Sequence, residues 1–309
     1  MSGTNNQDLL LGNLFDVKGK VALVTGGGKI PILQVGTRTN CHPGSGIGLM
    51  AVQALAVNGA KVYIVGRTEE KLETVAKTHG KDIAGEIIPL VGDISDKKDI
   101  ARLYKEIESR EKCLCILINN AGIQTSTQKP VGETAEEFKQ NLFEPDNANF
   151  DDWATTYRTN VAQLYFMTTA FLPLLQKATD HQYGYSGAVI NITSISGLVL
   201  KSQAHFSYNA SKAAANQLTK LLASEIVNNG FKVRVNAIAP GVFPSEMTAG
   251  DSKDNQKSEI PKEKYGHLPA GRPGNDRDMA NAILFAATNQ YLNGQIVPVD
   301  GGYLLKFGS

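Results

Sequence analysis

Seven short, nearly unbroken apolar runs recur along the 309 residues, and their continuity limits the folds open to the chain. They read KVALVTG from residue 20, AKVYIVG from 60, GEIIPLVGD from 85, CLCILINNAG from 113, GAVINITS from 187, KVRVNAIAPG from 232 and GQIVPVDGG from 294. A strand with one face in water alternates apolar and polar side chains, so a run without alternation predicts a strand buried on both faces. Stretches with helical spacing separate the runs, such as DKKDIARLYKEIESR and SKAAANQLTKLLASEIVNN. Strands alternating with helices predict an α/β fold: a single Rossmann-type, doubly wound domain, its mostly parallel seven-stranded sheet covered by helices on both faces. No linker divides it. The expected domain runs from residue 18 to 309, after an N-terminal extension of residues 1–17. Two long polar stretches, 123–150 and 243–275, have the length of lids or disordered segments.

A net charge of +1 gives no electrostatic case for nucleic acid or an anionic membrane. Three cysteines, Cys41, Cys113 and Cys115, argue against a disulfide framework and have no metal-ligand spacing. Cys113 and Cys115 lie in an apolar run and read as core. No apolar run is long enough to span a bilayer, and the start lacks the pattern of a signal peptide. A soluble protein of a reducing compartment, the cytoplasm, is therefore expected.

The stretch TGGGKIPILQVGTRTNCHPGSGIG, residues 25–48, looks like one glycine-rich loop split in two. Joining its ends gives TGGGSGIG after a strand and at the head of a helix. There glycines permit a tight turn, and the helix N-terminus can take a pyrophosphate. Further on, Tyr208 and Lys212 are four residues apart and share one helix face. To act as an acid–base group near pH 7, the tyrosine must titrate about three pH units below its ordinary value, about 4 kcal/mol. A neighbouring ammonium acts in that direction. Taken alone, the pair also fits a surface tyrosine and lysine. Ser194 ends a strand, at the edge where doubly wound sheets bind ligands, and is either a carbonyl-holding group or a turn residue.

Together TGGG…SGIG, NNAG, Asn160, Ser194, Tyr-x-x-x-Lys and PG resemble the classical short-chain dehydrogenase/reductase family over residues 18–305, with similarity to NADP-dependent 3-oxoacyl-reductase-like members. The resemblance implies that Tyr208 is the proton donor and acceptor and that Lys212 lowers its pKa and holds the nicotinamide ribose. It implies that Ser194 polarises the substrate carbonyl and that Asn160 bends its helix and anchors a proton-relay water. The cofactor set it implies is Gly26, Ser45, Gly46, Ile47 and Gly48 at the pyrophosphate, Asp93 at adenine, and Asn120, Ala121 and Gly122 beside the adenosine ribose. Pro240, Gly241 and Ser245 would meet the carboxamide, with Tyr208 and Lys212 at the nicotinamide end. The reaction implied is hydride transfer between a nicotinamide and a small carbonyl or alcohol substrate, by a homo-oligomer with no metal. An NAD enzyme would place an acid at the end of the second strand. Here Gly66 takes that place and Arg67 follows; a guanidinium suits a 2′-phosphate, so NADP(H) is expected. The rival readings are a non-catalytic binding protein on the same fold and a catalytically impaired chain.

The second rival comes from residues 29–44, which the family pattern treats as extra. Their codons can encode a splice donor, a branch sequence and an acceptor in the right order, so the stretch reads as an intron translated in frame. An additional lid, or a redox centre at Cys41 and His42, are the other readings. Closing a loop about fourfold longer costs on the order of 1–1.5 kcal/mol, so the fold is expected to form around the insert.

Overall fold

In the computed structural model, seven strands form one sheet in the order β3-β2-β1-β4-β5-β6-β7. The structure describes residues 5–26, 46–249, 253–261, 265–266 and 268–308. The strands are β1 (Val21–Thr25), β2 (Lys61–Gly66), β3 (Glu86–Val91), β4 (Ile116–Asn119), β5 (Ala188–Ile192), β6 (Arg234–Pro240) and β7 (Ile296–Val299). Every pairing is parallel. Each of the seven apolar runs supplies one strand. The unbroken runs VALVT, ILIN, AVINI and RVNAIAP lie at or near the middle of the sheet and are buried nearly end to end. β3 and β7, at the edges, are partly exposed.

The sheet divides the core in two. Val24, Ile64, Ile118 and Ile190 point to one face, where helices Gly46–Val57, Glu69–His79 and Asp276–Thr288 pack. Leu23, Tyr63, Leu117 and Val189 point to the other, under helices Lys97–Arg110, Gln163–His181 and Phe206–Asn228. Neighbours along a strand alternate between faces, so each strand serves both layers. Nine of the twelve residues of helix Gly46–Val57 are buried. Such a helix has no polar face to give to water, because the sheet and helix Asp276–Thr288 enclose it.

Residues 123–150 are not structureless. They carry helix Ala135–Leu142, capped by the Thr134 side chain on the Glu137 N–H, and lead into helix Phe150–Tyr157. The polar sequence hides both because the first helix buries no residue at all. In the other long stretch, 243–275, a short helix spans Glu246–Ala249, and Phe243 and Leu268 are buried. Cys115 is buried and Cys113 half-buried, just before β4 rather than within it. Burial first, then the neighbouring Cys115, pushes the Cys113 thiol up to about 11, which fits packing rather than reactivity. Cys41 and His42 lie outside the described residues, as does the insert at 29–44.

Candidate active site at the carboxyl edge of the sheet

The residues expected to carry chemistry meet at the C-terminal ends of β4, β5 and β6. Asn119 closes β4; its amide donates to Asn191 Oδ1 of β5 at 2.9 Å, and Asn191 donates in turn to Thr219 Oγ1 at 2.9 Å. This polar ladder is fully buried. It locks the ends of β4 and β5 to helix Phe206–Asn228. From that anchor the chain runs through Asn120, Ala121 and Gly122. The Asn120 N–H donates to Thr25 Oγ1 at 3.2 Å, and Gln163 Nε2 holds the Ala121 carbonyl at 2.9 Å.

Gly122 explains its own identity. A β-carbon there would lie 3.2 Å from Lys212 Nζ and 3.3 Å from Asn160 Oδ1. Two residues expected to act together thus converge on one backbone position. Asn160 lies in a π-helical turn, Arg158–Ala162, inserted between two α-helical segments. Such turns widen the helix by one residue and often mark functional sites. Its amide group clasps Ile123 from both sides, accepting from the backbone N–H at 2.8 Å and donating to the carbonyl at 2.9 Å. The same Nδ2 donates to Ser211 Oγ at 2.9 Å. Asn160 is therefore fixed by three bonds in a buried position.

Lys212 is not a surface residue: only 4 % of it is exposed. Its ammonium donates to the Ile192 carbonyl at the end of β5, 3.2 Å away, and lies 5.6 Å from the centre of the Tyr208 ring. Tyr208 is half-buried one helical turn earlier. Ser194 is a turn residue here. It caps a short 3₁₀ turn, its Oγ accepting the Ser196 N–H at 3.1 Å, and is itself buried. That turn presses on the helix of Tyr208 at Gly197. A β-carbon on Gly197 would meet the Lys212 carbonyl carbon at 2.5 Å and the Ala213 nitrogen at 2.6 Å. No side chain fits, so Gly197 sets how closely Ser194 approaches the Tyr208–Lys212 face.

The residues expected at the nucleotide end form a second group. Arg67 follows β2, and its Nη1 lies 3.8 Å from Asp93 Oδ2 just past β3. The other Asp93 oxygen accepts from the Ser95 N–H and hydroxyl at 2.9 and 2.6 Å. Lys71, one turn beyond Arg67, pairs at 3.3 Å with Glu246, whose side chain is 3 % exposed. Gly46 opens its helix at a φ of +59°, and a β-carbon there would fall 2.6 Å from Ser245 Cβ. The expected pyrophosphate and carboxamide residues are thus neighbours. Ile47 and Gly48 continue the first turn. Gly26 follows β1, its N–H on the Val65 carbonyl at 3.0 Å. Pro240 ends β6, and Gly241 lies against Asp300, whose Cα a β-carbon would meet at 2.7 Å. Ser45 lies outside the described residues. Among those described, no cluster of three or more His, Cys, Asp or Glu could hold a metal, and no helix is long and apolar enough to cross a membrane.

Three participants escaped the sequence reading: Gly197, Ser211 and Lys71. Ser211 could have been found, since it falls within Tyr-x-x-x-Lys. The others depend on partners 15 to 175 residues away and leave no local signal.

Comparison with known proteins agrees with this fold. A family model described as short chain dehydrogenase matches residues 43–256. A short-chain dehydrogenase/reductase, PhomF, of Diaporthe leptostromiformis is 40 % identical over 313 residues, covering 98 % of each chain. A rhamnolipids biosynthesis 3-oxoacyl-[acyl-carrier-protein] reductase of Pseudomonas aeruginosa is 31 % identical, covering 94 % of this chain and 98 % of that one. Among solved structures, a Pseudomonas aeruginosa RhlG/NADP active-site complex superposes with a TM-score of 0.72 at 28 % identity, over 94 % of this chain and 98 % of that one.

Proposed function

Since the chain belongs to the short-chain dehydrogenase/reductase family of oxidoreductases, we propose that it transfers a hydride between NADP(H) and a carbonyl or secondary alcohol, with Tyr208 as the acid–base group. The observation that carries this reading is the convergence at Gly122. The Lys212 ammonium and the Asn160 amide oxygen both crowd the position a β-carbon would take at Gly122, and Lys212 lies one turn from Tyr208. That convergence, the helix N-terminus at Gly46 and the cations Arg67 and Lys71 past β2 suit a nicotinamide dinucleotide with an extra phosphate. The structure named above as an NADP complex supports the same choice, and the 3-oxoacyl reductase supports a carbonyl substrate.

When bound, the nicotinamide supplies the hydride that the carbonyl carbon accepts. The remaining work is done by side chains. Ser194 Oγ already accepts from the Ser196 N–H; its own hydrogen is suited to donate to the carbonyl oxygen and polarise the bond. As that oxygen gains charge, Tyr208 passes it the phenolic proton. The Lys212 ammonium, 5.6 Å from the ring centre, stabilises the phenolate left behind. Asn160, with both ends of its amide engaged, holds the segment after β4 at Ile123, beside which the site is built. Alcohol oxidation runs the same steps backward.

Tyr208→Phe tests the proposal. The variant is expected to fold, to bind NADPH, and to lose at least about 10²-fold in turnover, the scale of a positioned acid–base group. Consumption of NADPH followed by absorbance with a ketone substrate measures it. Full activity in the variant would remove Tyr208 from the mechanism.

A further inference from the structure

Tyr208 lies in the first turn of helix Phe206–Asn228, and that turn lacks the usual fixings. The opening N–H groups of a helix have no partner within it. A side chain at the N-cap ordinarily meets one of them, and an acid in the first turn answers their charge. Here the N-cap residue, His205, makes no side-chain cap, and the first turn carries no acid. The carboxylate comes instead from another helix.

Asp152 lies in the first turn of helix Phe150–Tyr157, where the cap Asn149 accepts its N–H at 2.9 Å. Its neighbour Asp151 is exposed, whereas Asp152 is half-buried among hydroxyls. Oδ2 accepts from Thr125 Oγ1 at 2.8 Å and from Ser207 Oγ at 3.3 Å, and Oδ1 accepts the Ser126 N–H at 3.2 Å. Thr156 Oγ1 donates to the Asp152 carbonyl at 2.8 Å and lies 2.8 Å from Thr125 Oγ1. Ser207 Oγ is also 3.2 Å from Thr125 Oγ1. Ser126, Thr156 and Ser207 are buried. A carboxylate can only accept, so the hydroxyl hydrogens around it converge on this residue. Such bonds are roughly twice as strong as those to a neutral acceptor.

The groups gathered there belong to two walls of the site. Thr125 and Ser126 lie on the segment that begins at Gly122 and that Asn160 clasps at Ile123. Asn160 fastens the near end of this segment to Ser211, just after Tyr208 on its helix. Asp152 fastens the far end to Ser207, just before Tyr208. Tyr208 thus sits between two fastenings, while buried Lys212 is held separately on the Ile192 carbonyl. We propose that Asp152 is the positioning residue for Tyr208: it fixes the start of the helix so that the phenol keeps its place beside Lys212. The assignment rests on the hydride-transfer reading above.

Asp152→Leu keeps the size and removes the acceptors. It is expected to lower kcat for NADPH-dependent reduction of 2,3-butanedione about tenfold, the scale of one hydrogen bond to a charged group, and to leave the NADPH Kd within about twofold. Asp152→Asn is expected to recover most of the loss, since Thr125 can accept from the new amide and turn its hydrogen to Thr156. A double-mutant cycle with Tyr208→Phe shows through which residue Asp152 acts. In the Tyr208→Phe background, Asp152→Leu is expected to cost less than about twofold. A full tenfold loss there, an unchanged kcat in the single variant, or a loss matched by weaker NADPH binding would overturn the assignment. If Asp152→Leu does not fold, Thr125→Val keeps the shape and removes the shortest bond to the carboxylate. It is expected to cost about threefold in kcat and nothing further beside Tyr208→Phe; an equal effect in both backgrounds refutes the role.

A wild-type chain that reduces no ketone counts against hydride transfer and leaves Asp152 to be decided without turnover. Fluorine NMR with 3-fluorotyrosine incorporated at Tyr208 decides it. The resonance is expected to shift or broaden in Asp152→Leu and to return in Asp152→Asn. An identical resonance in wild type and both variants refutes the role.

Discussion

Arg67 stands where the choice between the two nicotinamide cofactors would be made. Its guanidinium is largely covered and reaches toward Asp93 across the ends of β2 and β3 at 3.8 Å, longer than a direct hydrogen bond. It is therefore drawn to the carboxylate without being saturated by it, and a phosphate could add a charge-assisted bond. We expect Arg67→Ala to weaken NADPH binding by about 1–3 kcal/mol and leave NADH nearly unchanged, measured by fluorescence titration. Equal losses would place Arg67 away from the 2′-phosphate. At this scale the catalytic candidates were legible because each sits at a fixed spacing from a recognisable neighbour: Tyr208 from Lys212, and Ser194 from the end of its apolar run. Gly197 was not. In the sequence it is an ordinary turn glycine; its necessity comes from the backbone at Lys212, which folding brings within 2.5 Å of a would-be β-carbon.

Among the elements, the pair that flanks the insert is the informative one. β1 keeps its full parallel register with β2 and β4, and helix Gly46–Val57 begins where the joined loop places it. Each buries its own apolar surface against the sheet, a gain larger than the small cost expected for closing a longer loop between them. We expect deletion of residues 29–44 to leave the far-UV circular dichroism spectrum and the urea midpoint nearly unchanged and to tighten NADPH binding. Equal affinity in the full chain would show the insert to be a tolerated loop. Strands and long helices were legible from periodicity, since it records what each buries. Helix Ala135–Leu142 was not, because it buries nothing and its sequence resembles a solvated loop. The π-helical turn at Asn160 was legible only through family resemblance, since its extra residue shifts no apolar position strongly enough to be read.

Among the described residues, the candidate site and a buried guanidinium anchor lie at opposite ends of the sheet. The site lies at the carboxyl ends of β4, β5 and β6. At the amino end of β6, Arg234 is 4 % exposed and donates to the carbonyls of Ala286 and Ala287 at 3.0 and 2.7 Å, and to Ser186 Oγ at 2.9 Å. One guanidinium thus caps the end of helix Asp276–Thr288 and ties it to the segment before β5. The apolar run around it gives no hint of this role. Arg234→Met keeps the length and removes the donors, leaving buried carbonyls without their bonds. We expect it to cost about 2–4 kcal/mol in urea denaturation and to leave the KM for NADPH within about twofold. A loss confined to activity would contradict a purely structural role for Arg234.

The contact between Lys71 and Glu246 links two segments 175 residues apart in sequence. One follows the strand expected to choose the nucleotide; the other belongs to the stretch expected to choose the substrate. Any redesign of cofactor preference around Arg67 must therefore treat Lys71 as shared property. Exchanging it for an acid would set two negative charges against each other where Glu246 is buried. If the two segments hold those roles, a change at position 71 reaches both and calls for a compensating change at position 246.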